Sequence, residues 1–438
     1  MALGNVFMRD TDGNIPVIQS PNIIERVSGL IFDISGQTNF WTTGSGAKIA
    51  DVWKGKIVEL NNLQEAVEAG ITPYTGSSDD VLAGIPHYHI RQFFDMAGSN
   101  GRLFVMFADC SKDWNAIIEM QRAANGAIFQ IGVWTEQNLW TKPDTLAATY
   151  SINLVADINR AAVELADEYM APVSILLSAN TSKVKVEETT SNTIAINQIP
   201  SCMVDARYVT VLLSQSNEGT VRRMQGTLAS TTPVGVIGVA LGTLARAAVN
   251  ESIGWVGGFN ITNCVPAIEM GFGDSTLKDG LLTNSSDYPS LTNAQLNALA
   301  DAGYVFVRTF VGYEGTRFSS DKTCSNGDFC TIARNRTINK SRRLIRMALL
   351  PYVNSPLKVD PANGNLSAAQ VTVFENLVRD ILNNMASAEE ISGIAFVRVP
   401  AEQNILVTKK LMLSYGLVPM GCADTYEVTE GLYVTQQA

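Results

Sequence analysis

The chain has 438 residues, 46% of them apolar and 17% charged. That length exceeds one compact core, and that balance argues against a largely disordered chain. A formal net charge of -10 argues against general nucleic-acid binding, because phosphate affinity needs clustered Lys and Arg.

The six cysteines are Cys110, Cys202, Cys264, Cys324, Cys330 and Cys422, and the only histidines are His87 and His89. None of the cysteines forms a CxxC pair, and a zinc site needs about four clustered ligands, so no metal is expected. Sparse cysteines suit a reducing compartment, and Cys324 and Cys330 are expected as free thiols. The N-terminus lacks the pattern of a signal peptide. No uninterrupted apolar run of about 20 residues occurs, so membrane insertion is not expected. The nearest run, Pro233 to Val249, is broken by Arg246 and three glycines.

In chain order, residues 1–22 are polar and read as an extended arm. Ser28 to Ser35 and Lys56 to Leu60 read as strands. Asn62 to Ala69 reads as a helix stopped by Gly70. Pro86 to Met96 is expected as a helix, with Pro86 at its first position. Arg102 to Ala108, Ile128 to Trp134, Val173 to Ser178 and Met203 to Ser214 read as strands. Trp114 to Ala124, Asp144 to Met170 and Gly226 to Val249 read as helices between and after them. Strands alternating with helices imply an α/β layer with a substantially parallel sheet over residues 23–265.

Residues 266–290 form a loop-rich connection. A core domain is then expected over 291–422 and an arm over 423–438. Thr292 to Ala302 reads as a helix capped by Thr292 and stopped by Gly303. Tyr304 to Val311 is expected as a strand and Ile338 to Tyr352 as a basic helix. In Ser367 to Met385, residues Val371, Phe374, Leu377, Val378, Ile381, Leu382 and Met385 form one apolar stripe at the helical period. Ile391 to Val399 and Asn404 to Leu413 read as strands. Thr425 to Val434 alternates by twos, with Tyr426, Val428, Leu432 and Val434 on one face.

Three features invite chemistry. Gly235, Gly238 and Gly242 are spaced GxxGxxxG, which suits close helix packing better than the GxGxxG of dinucleotide sites. His87 and His89 lie about 200° apart on a helix, without an obvious partner. Ser387 and Glu390 have the spacing of a capping box. No catalytic residue and no cofactor are expected. The distinctive charge feature is Arg334, Arg336, Lys340, Arg342, Arg343 and Arg346, six cations within 13 residues with no acid among them. These read either as a solvated helix face or as a site for an acidic partner.

The order LTNAQLNALADAGYVFVRTFVGYEG, TIARNRTINKSRRLIRMALLPYV, a long amphipathic helix and GIAFVRVP resembles the C-terminal core domain of contractile phage tail sheath proteins. Ala302-Gly303-Tyr304, Arg308, Gly312 and the Arg334 to Arg346 segment carry that likeness. LNNLQEAVEAGIT, HYHIRQFFDM and LFVMFAD look like an N-terminal sheath domain of the Mu-like and Bacteroidetes-type branch. The loop after Thr323 departs from the usual pattern.

The resemblance implies a multi-domain α/β chain with mixed open sheets, and extended N- and C-terminal arms that exchange strands between subunits. Val6, Met8, Tyr426, Val428, Leu432 and Val434 would make that exchange. Arg334, Arg336, Lys340, Arg342, Arg343 and Arg346 would face an inner tube. The chain would be no enzyme, but a helical homo-polymer around a tube protein, with baseplate and terminator proteins at its ends. It would assemble in the bacterial cytoplasm and end in a virion tail or injection-system particle. The alternatives are an α/β enzyme of unknown specificity or another polymerising phage or secretion component, such as a type VI-like sheath subunit.

Overall fold

A computed structural model describes residues 24–35, 53, 55–75, 81–98, 101–141, 150–180, 184–185, 194–195, 199–216, 234–266, 270–272, 277–278, 281–282 and 292–430. Strands β1 (Val27–Asp33), β2 (Ile57–Leu60), β3 (Arg102–Ala108), β4 (Gln130–Asn138), β5 (Ser174–Asn180) and β6 (Val209–Val211) form one sheet in the order β2-β3-β1-β4-β5-β6. β2 runs antiparallel to β3, and every other pair is parallel. Central strands buried on both faces need near-continuous apolar sequence, and β1 and β3 have it.

Helices cover both faces. On β3, Phe104 and Met106 turn to one core with α3 (Asn115–Ala123) and α4 (Asn153–Asp167). Leu103, Val105 and Phe107 turn to the other, with α2 (Val81–Ala97) and α5 (Ile237–Arg246). The expected helix at 62–69 is the short α1 (Leu63–Glu68), with Asn62 standing outside it as its side-chain cap.

The large domain extends past the expected boundary at 291. The Val305 amide donates to Val211 O at 3.0 Å, and the Leu213 amide donates to Val305 O at 2.9 Å. Tyr304 and Phe306 enter one core while Val305 and Val307 enter the other. A stretch flanked by both cores belongs to the middle layer. Helix α6 (Asn293–Asp301) and the hairpin of β7 (Val307–Phe310) and β8 (Tyr313–Phe318) therefore join the large domain. α6 begins in the expected cap, with a full capping box between Thr292 and Gln295.

The C-terminal domain starts with α7 (Ile332–Leu349), six residues earlier than expected, because Thr331 accepts from the Arg334 amide. Helix α8 (Ala368–Ser387) buries Phe374, Val378, Ile381, Leu382 and Met385. Most of that stripe packs on Ile391, Val397 and Tyr415 of an antiparallel pair, β9 (Ile391–Arg398) and β10 (Ser414–Pro419).

Other expectations are corrected. Asn404 to Leu413 is no strand: Asn404 caps a single turn, Ile405–Thr408, and Gln403 bonds both the amide and the carbonyl of Met412. Pro86 lies inside α2, which begins at Val81. The described helix of the 144–170 stretch spans only Asn153–Asp167, and the main-sheet strand within 203–214 spans only Val209–Val211. The loop-rich connection holds short pairings at Met270–Phe272, Leu277–Lys278 and Leu281–Leu282. The expected arm at 1–22, including Val6 and Met8, lies outside the described residues, as do Leu432 and Val434.

Candidate assembly surfaces

A doubly wound sheet places any ligand crevice at the carboxyl ends of its strands, where strand order reverses. Here that point is β1, flanked by β3 and β4. Asp33 ends β1 and is buried. Its carboxylate accepts from Thr135 Oγ1 (2.6 Å), Gln137 Nε2 (2.8 Å), Ser35 Oγ (2.8 Å) and the Cys110 amide (3.0 Å). Those bonds tie β1 to β4 and to the chain beyond β3, so Asp33 is a tether. A cleft of about 380 Å³ lies beside it, lined by Lys112, Asp113, Gln137, Asp157, Arg160 and Glu164 among others. It contains no histidine, and its cysteine, Cys110, is buried and its thiol is pushed far up by burial.

The histidines sit on α2, under α5. Burial pulls His89 down to about 3 and His87 down to about 4, so both are neutral in the folded chain at neutral pH. The glycine spacing explains the close approach. A Cβ on Gly238 would stand 2.8 Å from His89 Cα, and one on Gly242 would stand 2.6 Å from Phe93 O. Close helix packing is thus what GxxGxxxG provides. Among the described residues no cluster of three or more His, Cys, Asp or Glu side chains is placed to hold a metal ion. None of the six cysteines is in a disulfide, Cys324 and Cys330 included.

The cation run on α7 is not a solvated stripe. Arg336 is fully buried, and Lys340 and Arg342 are nearly so. Arg336 donates to Ala247 O (3.3 Å) and Ala248 O (3.0 Å), just past the end of α5. Arg343 donates to the carbonyls of Gly126, Ile128 and Pro172, and stacks on Phe129 with 4.6 Å to the ring centroid. Arg342 donates to Tyr208 Oη at 3.1 Å. Lys340 bridges the carboxylates of Glu25 and Glu390. Burial pulls Arg343 down to about 9 and Arg336 and Arg342 down to about 10, so all three stay protonated at neutral pH.

These partners share one location. Glu25, Ile128, Pro172 and Tyr208 each lie just before a strand, and Ala247 ends α5. α7 therefore lies across the amino-terminal edge of the parallel sheet. Helix carboxyl ends gather at that edge, with unpaired carbonyls and negative dipole ends. A cationic helix without acids is complementary to it. The tube-facing expectation is corrected for Arg336, Lys340, Arg342 and Arg343, which join the two domains. Arg334 is exposed and Arg346 half-buried. Glu390 is likewise no capping residue, because its carboxylate meets Lys340.

The open surface lies in the C-terminal domain. Among the described residues its sheet has two strands, so each strand keeps one edge that no described strand pairs. α8 covers one face, while Phe396 (49% exposed) and Val418 (45%) stand open. The crossing between the strands exposes Leu406 (65%), Val407 (77%) and Met412 (63%). Beyond β10 the described tail, 420–430, joins no ladder, and Tyr426 and Val428 are 84% and 86% exposed. The apolar residues of 391–399 mark a strand in the sequence, but only the lack of further neighbours among the described residues shows that it is open.

This arrangement of a doubly wound large domain and a small domain joined through a cationic helix has counterparts among solved structures of contractile machines. The chain superposes on the anti-feeding prophage (AFP) helical sheath in its contracted state with a TM-score of 0.57 and 13% identity, over 98% of this chain and 99% of that one. A chain of the 6-fold symmetrised AFP baseplate matches with a TM-score of 0.54 and 13% identity, over 99% and 100%. The contracted PVC sheath complex of an extracellular contractile injection system matches with a TM-score of 0.51 and 11% identity, over 99% and 98%. No curated protein matches the sequence significantly. The chain belongs to the DUF2586 family, matching its N-terminal domain over residues 22–322 and its C-terminal domain over 328–437.

Proposed function

We propose that this chain is the structural subunit of a contractile tail sheath, and that it polymerises helically around an inner tube. The observation that carries the reading is the C-terminal domain, which among the described residues has two strands, open edges and an exposed apolar face, on a fold that matches solved sheath structures over nearly the whole chain. An open apolar edge on a lone subunit is an aggregation hazard. In a polymer it is the joint.

Neighbouring copies add strands to that edge through their terminal segments, with Val6, Met8, Tyr426, Val428, Leu432 and Val434 facing the receiving sheet. The large domain and α7 move as one body, because buried ionic and hydrogen bonds hold them together. Contraction is then rigid-body rotation about the terminal connections. A small free-energy gain per subunit, summed along the polymer, drives the tube outward without nucleotide hydrolysis. Baseplate and terminator proteins bound the polymer at its ends. Arg334 and Arg346 are the α7 cations that can reach the tube. The subunit assembles in the bacterial cytoplasm and functions in a tail or injection particle.

Negative-stain microscopy of the purified chain tests this reading. Tubes or stacked rings are expected; uniform small particles at high concentration would overturn it.

A further inference from the structure

The crossing between β9 and β10 has a chemistry that strand pairing does not use. Between Glu402 and Asp424 the only charged residues are Lys409 and Lys410. Both are exposed, beside Leu406, Val407 and Met412. The crossing is held in shape from beneath: Asn404 caps its single turn, and Gln403 bonds Met412 on both backbone groups. Lys409 stands at φ 50°, in the left-handed region that a lysine rarely adopts. The result is an apolar cap tipped by two cations in an acidic chain.

The described tail carries the opposite pattern. Asp424, Glu427 and Glu430 fall within seven residues that contain no cation, and Tyr426 and Val428 are exposed among them. This tail does not use its own cap. Its base lies near Asp321 and Arg334, whose charges act on Cys422. None of the three acids forms an ion pair with Lys409 or Lys410 of the same chain.

We infer that the Lys409–Lys410 cap is the receptor for the acidic tail of a second copy. Tyr426 and Val428 lie against Leu406, Val407 and Met412, and Glu427 and Glu430 meet the two lysines. The inference rests on the polymer reading and deepens it, by naming where an incoming tail is recognised before it reaches the sheet edge. Apolar contact supplies the area, while charge supplies register and excludes a tail in the wrong direction.

The test is a labelled peptide of residues 422–438, titrated with the full-length chain by fluorescence anisotropy. Binding is expected to weaken on raising salt from about 50 to about 500 mM. Lys409→Glu with Lys410→Glu should weaken it about tenfold or more, and a peptide carrying Glu427→Lys and Glu430→Lys should restore it. Both lysines are exposed, so the variant is expected to keep its circular dichroism spectrum. The inference is overturned if the peptide does not bind, or if the double variant binds it within twofold of the original. Tubes of unchanged yield from the double variant would also overturn it and leave the sheath reading standing. The charge-swap pattern in a chain that builds no tubes would sustain the docking site and end the sheath reading.

Discussion

Lys340 is the sharpest place to perturb the joint between the domains. Its side chain is 3% exposed and bridges Glu25, at the start of β1, and Glu390, at the start of β9. Lys340→Met keeps the volume roughly constant and leaves two buried carboxylates without their cation. Removing one partner of a buried ionic cluster costs about 3–5 kcal/mol, because uncompensated charge remains. At about 1.4 kcal/mol per factor of ten, that is roughly a hundredfold to several thousand-fold loss in the folding equilibrium. The effect has a pH signature. Burial already raises Glu390 above its ordinary value, with Lys340 opposing. Without Lys340 the folded-state value rises further, so the penalty is full above that value and is relieved as pH falls through it. The deficit should therefore shrink as pH is lowered from neutral toward the ordinary carboxylate range. Urea unfolding can follow each domain, because all six tryptophans lie at or before residue 255. Their fluorescence reports the large domain, while far-ultraviolet circular dichroism also reports α7 and α8. Both midpoints should drop, and Glu25→Gln with Glu390→Gln should restore part of the loss. A shift under about 1 kcal/mol that is independent of pH would refute a desolvated triad.

Alanine in a helix interior usually gains about 1 kcal/mol over glycine. Gly238→Ala and Gly242→Ala should instead destabilise by about 1–3 kcal/mol, since the added Cβ meets the backbone of α2; a raised melting temperature would contradict the close crossing. His89 remains neutral until about pH 3, whereas the unfolded chain takes up a proton near 6.5. Stability should thus fall as pH drops below 6.5, by about 2 kcal/mol at pH 5, with His87 adding in the same direction. His89→Gln should flatten that slope in acid titrations. Reversing Arg342, Arg343 and Arg346 to Glu should lower stability as well as any tube association, because carbonyls of the large domain lose their donors; an unchanged urea midpoint would put α7 outside the interior. Deleting Tyr426 to Ala438 should leave a folded subunit by circular dichroism that no longer forms tubes in negative stain.

Local pattern was enough for elements whose reasons are local. The Thr292 cap, the apolar stripe of α8, the apolar runs of β1 and β3, and the helix-packing glycines each follow from spacing within about 20 residues. The Asn404 to Leu413 stretch defeated that method. Leu406, Val407, Leu411 and Met412 read as strand, yet Asn404 and Gln403 fold them into a cap through side-chain bonds that no periodicity encodes. The boundary expected at 291 rested on local pattern in the same way: Val305 bridges Leu212, just past β6 and about 90 residues earlier, a contact that no local spacing encodes.

The cations of α7 mark the division most clearly. Their number and the absence of acids among them are properties of the sequence, as is the demand of an acidic chain for some special use of them. Whether they face water, a partner or the chain's own interior depends on where helix carboxyl ends collect. That place exists only once the parallel sheet has formed and brought Gly126, Pro172 and Ala247 to one edge. A charged helix takes its role from the field it meets, and this field is assembled from carbonyls up to about 200 residues away in the chain.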